Sequence, residues 1–359
     1  VLARPVVARR NQPPFTASVM DGYAVIDADV RPGARLSVIG EAAAGHGFDG
    51  RIGPGEALRI FTGAPVPEGA TRVIIQEDVR REGGIITLNP DCDSSKYIRG
   101  IGADFKVGDT VDAPRHLTPS DLALIAAMNV PDVTVARKPV VALIATGDEL
   151  VMPGEDPGQD QIIASNTFGI AAVLEQEGAE VRALPIARDT RESLATCFDL
   201  AAGADLVVTI GGASVGDHDL VGEVAADRGM DRSFYKIAMR PGKPLMAGHL
   251  GDMPMVGLPG NPVSSMVCAH IFLRPMIRAM LGLPARTPTM RTAPLAAPLG
   301  ANGPRQHYMR ARLDGGKVFV AERQDSALLS VLSQANILAV RKPHAPALGA
   351  GEPVSYIEL

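Results

Sequence analysis

The sequence predicts a multidomain protein of mixed α/β and β architecture, with a central α/β ligand domain on a mostly parallel sheet. Three observations carry the prediction. The chain has 359 residues, more than one core ordinarily serves, so several domains are expected. From Lys138 onward, continuous apolar runs alternate with helix-period segments, the pattern of parallel strands covered on both faces. On either side, residues 31–99 and 289–359 carry short β-type runs broken by glycine and proline, which read as two smaller β domains.

The elements follow in order. Within 31–99 the runs are 35–39, 57–61, 72–75 and 85–88, and Glu82-Gly83-Gly84 reads as a hairpin turn between the last two. Residues 118–129 read as a helix. Thr118 can cap it, Pro119 suits the first turn, Asp121 favours the N-terminus, and Leu122, Ile125, Ala126 and Met128 give the apolar face. Val140–Ala145 is the first continuous apolar strand. A helix over 167–177 has Asn166 as cap and Gly178 as stop. A strand over 180–185 and a helix over 189–202, capped by Asp189 or Thr190, come next. Leu206–Ile210 is a strand, 219–227 a helix, Met253–Leu258 a strand, and 262–281 a long helix capped by Asn261. Residues 284–288 read as a linker. Short runs at 318–320, 337–340 and 354–357 make the terminal β domain.

Composition excludes several classes. The 35 basic and 40 acidic residues give a net charge of −5, which argues against a general nucleic-acid binder. No apolar run approaches the ~20 residues of a membrane span, and no signal pattern is visible. Three dispersed cysteines, Cys92, Cys197 and Cys268, offer neither a disulfide framework nor zinc spacing. A cytoplasmic location is expected.

Four loops can carry chemistry. Ligands of parallel α/β sheets bind beyond the carboxyl ends of the strands, where Thr146-Gly147-Asp148-Glu149 and the segment from Gly211 to Asp217 fall. Thr146 offers a hydroxyl, Gly147 close backbone approach, and Asp148 and Glu149 carboxylates for Mg²⁺ or water; the same tetrapeptide also reads as a solvated turn. Gly211, Gly212, Ser214 and Gly216 could cradle a phosphate, though the spacing is neither a P-loop nor GxGxxG. Asp217 and Asp219 oppose a bare phosphate but suit one bridged by Mg²⁺. Arg240 and Lys243 flank Pro241-Gly242, a credible oxyanion turn or an exposed basic one. Pro259, Gly260, Asn261 and Ser264 open a helix whose N-terminus favours an anion, although Asn-Pro is also an ordinary cap.

Six motifs in order resemble one family. They are SVMDGYAV from Ser18, RIFTGAPVPEGA from Arg59, ATGDEL from Ala145, GGASVGDHD from Gly211, RPGKPL from Arg240 and LPGNPVSS from Leu258. The chain resembles the molybdopterin molybdenumtransferases: bacterial MoeA, the plant E domain and the gephyrin E domain. The resemblance extends to 305–310 and 330–336.

The resemblance implies four domains in a homodimer. Residues 1–30 with 100–137 would form a discontinuous N-terminal domain, and 31–99 an inserted β domain. Residues 138–285 would form the molybdopterin-binding α/β domain, and 286–359 a C-terminal β-barrel. The implied activity is insertion of molybdate into adenylyl-molybdopterin with Mg²⁺ and release of AMP. The implied acidic and hydroxyl residues are Asp21, Thr62, Asp104, Glu149, Asp189 and Asp219, with Lys236 beside them. Mg²⁺ would be held by Glu149, Asp217 and Asp219, and molybdate by Arg240, Lys243, Arg305, Arg310 and Ser330. An upstream adenylyltransferase and downstream molybdoenzyme chaperones are the implied protein partners. Three departures stand out: Val19 in place of the family's alanine, Ala103 in place of a glutamate, and Arg240 where lysine is frequent. A related adenylyltransferase or a gephyrin-like scaffold are the alternative readings; the two β domains argue against the first, and no receptor motif supports the second.

Overall fold

The computed structural model describes residues 1–212 and 220–359. The expected site residues Ser214, Gly216, Asp217 and Asp219 lie outside the described residues. The chain forms two compact units, Val1–Val135 and Ala136–Leu359.

In the first unit a six-stranded sheet runs in the order Arg72–Ile75, Gly22–Val25, Glu56–Ile60, Arg35–Ala42, Ile85–Leu88 and Val79–Glu82. The sheet therefore draws in Gly22–Val25, upstream of the β-type runs in 31–99. Gly22 is fixed by packing: a Cβ there would stand 1.9 Å from the Ile74 carbonyl oxygen of the paired strand. The Gly83-Gly84 turn does make a hairpin, but Val79–Glu82, not Arg72–Ile75, is its first strand. Those four residues are largely exposed, so no apolar period announces them. The helix Pro119–Ala127 begins at Thr118, whose hydroxyl accepts the Asp121 N–H while the Asp121 carboxylate accepts the Thr118 N–H. That reciprocal pair satisfies two free donors of the first turn.

The second unit carries the α/β sheet, ordered Glu180–Ala183, Val140–Ala145, Leu206–Ile210, Met253–Leu258, Met246–Leu250 and Met230–Tyr235. The first four strands are parallel and the last two join antiparallel. Side chains alternate between faces, and both sets are buried. Ala142, Ile144 and Val207 pack with Leu194, Cys197, Phe198, Val221 and Val224 of the helices Arg191–Leu200 and Leu220–Asp227. Val141, Leu143, Leu206 and Val208 are equally buried on the other face. The helix Asn166–Gln176 packs against Pro262–Cys268.

Two local readings are corrected, and one left open is decided. Asn166 is the first helical residue and not the cap; its amide donates to the Gly260 carbonyl at 2.8 Å. Thr190 is the cap of the next helix, accepting the Ser193 N–H. The helix expected over 262–281 is interrupted by a π-helical turn, Ala269–Leu273. Pro275 lies just beyond it; lacking an N–H and crowding the preceding turn, proline breaks the regular ladder there.

A second six-stranded sheet holds Met239–Arg240, Gln306–Asp314, Ile337–Arg341, Pro353–Glu358 and Arg291–Pro294, with Lys317–Val320 paired to Gln306–Asp314. Its core is Leu295, Ala311, Val318, Ile337, Ala339, Val354 and Tyr356. The Ala296 N–H donates to the Val318 carbonyl at 2.9 Å, bringing the two outer strands together.

Candidate active site

Each unit contains a polar cavity lined by residues singled out in the sequence. The cavity of the first unit has a volume of about 640 Å³ and is lined by Thr62 and Asp104 with Arg10, Ser18, Arg99 and residues 12–15. Asp21 is tied to it through Thr62: one carboxylate oxygen accepts the Thr62 N–H at 2.8 Å and the Thr62 hydroxyl at 2.7 Å. These two bonds, backbone first, hold the Asp21 carboxyl below the usual range, and the Arg59 guanidinium adds to the effect. Arg59 itself lies over the rings of Phe61 and Tyr23, at 4.5 and 5.2 Å. The Thr62 proton is thus committed to an ionised carboxylate, leaving the hydroxyl oxygen as an acceptor toward the cavity.

The cavity of the second unit is larger, about 1070 Å³, and lies at the carboxyl ends of the parallel strands. It brings together Thr146, Gly147, Glu149, Asp189, Gly211, Gly212, Pro259, Gly260 and Asn261. The two glycines have a packing reason. Gly211 and Gly212 have φ of 93° and 66°, and a Cβ at Gly212 would lie 2.2 Å from a Val221 methyl. Gly147 is similar: a Cβ would stand 2.2 Å from a carboxylate oxygen of Glu149, which folds back over it. Asp148 is set behind the rim, accepting the Asp189 N–H at 3.1 Å.

The first turn of the Asn261 helix is less open than its sequence implies. The Val263 N–H donates to the Ser326 carbonyl at 3.0 Å, the Asn261 side chain makes no capping bond, and Ser264 is buried. The Val263 amide is therefore already used by the C-terminal loop. Lys236 does not line the cavity; it has a φ of 78° and its ammonium sits 5.1 Å from the Tyr235 ring centre. Lys243 is exposed, while the adjoining Pro244 lines the cavity. Gly242 packs against the buried Cys268, whose sulfur a Cβ would meet at 2.6 Å.

The basic residues separate by environment. Arg310 is fully buried and donates to the Asp325 carbonyl at 2.9 Å, while Ser330 is exposed on the short helix Leu329–Ser333. Arg240, Arg305 and Arg310 all act on His307, which burial and these cations push down to about 4. The thiols play no visible part: all three are free, and burial raises Cys268 to about 12.

Among the lining residues that sequence reasoning missed are two polar ones on helices, Asn166 and Glu223. Asn166 was assigned to capping, yet its carbonyl oxygen is buried beside the cavity without a partner. Glu223 also lines it, ion-paired to Arg191 at 2.6 Å. Helical spacing was the only available signal, and it marks both simply as helix residues. With Glu149 and Asp189, Glu223 gives the rim three carboxylates, which favours an anion only when a cation bridges them.

Comparison with known proteins follows this division. Residues 1–129 match the MoeA N-terminal region (domain I and II), 142–279 the "Probable molybdopterin binding domain", and 292–359 the MoeA C-terminal region (domain IV). A molybdopterin molybdenumtransferase of a Nostoc species is 33% identical over 100% of this chain and 86% of that protein. A molybdopterin molybdenumtransferase of Haemophilus influenzae is 38% identical over 79% of this chain and 70% of that protein. The crystal structure of a Pyrococcus horikoshii molybdopterin biosynthesis MoeA protein superposes with a TM-score of 0.83 at 29% identity, covering 100% of this chain and 91% of that one.

Proposed function

Because the chain belongs to the MoeA family of molybdopterin molybdenumtransferases, we propose that it inserts molybdenum from molybdate into adenylyl-molybdopterin and releases AMP. The observation that carries this reading is the second unit's cavity. Its rim joins a hydroxyl, a glycine turn and carboxylates at the strand ends, a setting suited to a phosphate-bearing ligand. Thr146 and the Gly211–Gly212 backbone would hold the pterin's phosphate side, and Asn166 would offer its free carbonyl to a ligand N–H.

Mg²⁺ is part of the proposal. Among the described residues no three His, Cys, Asp or Glu side chains form a ready metal cluster. Mg²⁺ does not need one: it accepts one or two carboxylates and fills its shell with water and phosphate oxygens. Glu149 fits as a hard oxygen donor on the rim, with Asp217 and Asp219 as the further proposed ligands. When bound, the ion would neutralise charge on the pyrophosphate and the departing AMP. Asp189 holds the Asp148 side chain in place through its N–H and so steadies the 146–149 turn.

Arg240, Lys243, Arg305, Arg310 and Ser330 are the proposed molybdate residues, Lys243 and Ser330 from solvent and Arg310 from within. Asp21, Thr62 and Asp104 are proposed as catalytic residues, and Lys236 to add positive charge. The dithiolene sulfurs come with the substrate, so no protein thiolate is required. We also propose the four-part division given above, a closed C-terminal barrel, a cytoplasmic homodimer, and supply and removal by an adenylyltransferase and molybdoenzyme chaperones. No helix among the described residues is long and apolar enough to cross a membrane.

The test is AMP release by the purified chain given adenylyl-molybdopterin and Mg²⁺, with and without molybdate. Release that requires molybdate is expected. Release indifferent to molybdate, or none, refutes the proposal.

A further inference from the structure

The C-terminal sheet carries a row of side chains that the pterin cavity does not use. Arg240 is the direct cross-strand partner of His307, and His307 is the partner of Arg341. Paired residues point to the same face, so the three stand side by side at strand spacing, about 5 Å apart. By the two-residue alternation, that is also the face of Ala311, Ile337 and Ala339, the apolar core of this sheet. The row closes one end of the core. It opens to solvent at Arg240, which is exposed, and becomes buried inward: His307 is 6% and Arg341 4% accessible.

Its polar atoms are not satisfied from within the protein. His307 Nε2 and Arg341 Nη1 are buried without a partner. The Arg341 head is nevertheless held in place, its Nη2 donating to the Ala345 and Pro346 carbonyls. Fixed, buried donors of positive charge are strongly unfavourable unless an anion completes them. The imidazole, kept neutral by burial and by Arg240, Arg310, Arg305 and Arg341, can still donate one N–H without adding charge.

We propose that Arg240, His307 and Arg341 form an inward extension of the oxyanion site, so that His307 and Arg341 bind the oxygens of a tetrahedral dianion of the molybdate class. The proposal rests on the reading above only in taking Arg240 as a molybdate residue.

The experiment titrates the full chain with sodium molybdate by calorimetry and records thermal unfolding with and without it. In Arg341→Met and His307→Phe, molybdate should bind at least about tenfold more weakly, the effect of losing one charge-assisted hydrogen bond. The molybdate-induced rise in Tm should shrink in step. Without anion, Arg341→Met should unfold at or above the wild-type temperature, because an unpaired buried charge has gone. Arg341→Lys should recover part of the affinity. If folded Arg341→Met and His307→Phe bind molybdate as wild type while Arg240→Ala does not, the extension is refuted and the Arg240–Lys243 site stands. If wild type binds no molybdate, both fall. Should Arg341→Met fail to fold, His307→Phe alone decides.

Discussion

At the scale of single residues, the Asp21–Thr62 pair shows how a short motif becomes a charge arrangement. Both residues stand out in the sequence only by family resemblance; the fold joins them across 41 positions through two hydrogen bonds to one oxygen. Thr62→Val keeps the N–H bond and removes the hydroxyl bond. The Asp21 pKa should therefore rise part of the way toward its ordinary value, as read by carboxyl NMR titration; an unmoved pKa would show that the hydroxyl does not hold the carboxylate. Glu149 tests the cation. It is exposed on the rim, so Glu149→Gln should leave folding intact and raise the Mg²⁺ needed for half-maximal turnover by roughly tenfold or more. Wild-type Mg²⁺ dependence would remove Glu149 from the metal site. Residues such as Asn166 and Glu223 could not be found this way. Their helical spacing is set by the core, and only the tertiary fold aims them at the cavity.

At the scale of elements, local signals were legible and nonlocal ones were not. The Thr118–Asp121 cap, the Gly178 stop and the buried strands Val140–Ala145, Leu206–Ile210 and Met253–Leu258 follow from short-range chemistry. The strand Met230–Tyr235 is mostly exposed, so it carries no apolar period, and pairing with Met246–Leu250 decides its state. Two-residue strands such as Val6–Val7, paired with Thr110–Val111, are fixed only by chain-distant partners. Gly22 joins element to site: Asp21 immediately precedes its strand, and the glycine lies against Ile74 without room for a side chain. Gly22→Ala should cost about 2 kcal/mol or more in urea unfolding. A loss below about 0.5 kcal/mol would mean that the strands part without penalty.

At the scale of the whole molecule, the fold class was legible because the parallel-sheet pattern occupies a long continuous stretch, and the motif order supplied the rest. The arginine–histidine row was not legible, since it needs three strands in register. Stability against pH gives one global check. Burial pushes His270 and His307 down to about 4. Between about pH 6.5 and 4 the unfolded chain binds protons that the folded chain does not, so stability must fall as pH drops through that window. Hydrogen-bonded carboxylates such as Asp27 and Asp205, held low by Arg72 and Arg137, add stability above their unfolded pKa and lose it at lower pH still. The urea midpoint should decline from pH 6.5 to 4, less steeply in His270→Gln; a flat wild-type profile would show these imidazoles to be accessible to protons. On the proposed function, this chain couples loss of AMP to capture of molybdenum. The most direct measurement of that coupling is a single turnover with adenylyl-molybdopterin and molybdate, counting molybdenum retained on the pterin against AMP released. One molybdenum per AMP is expected; AMP released without molybdenum on the pterin would refute the coupling.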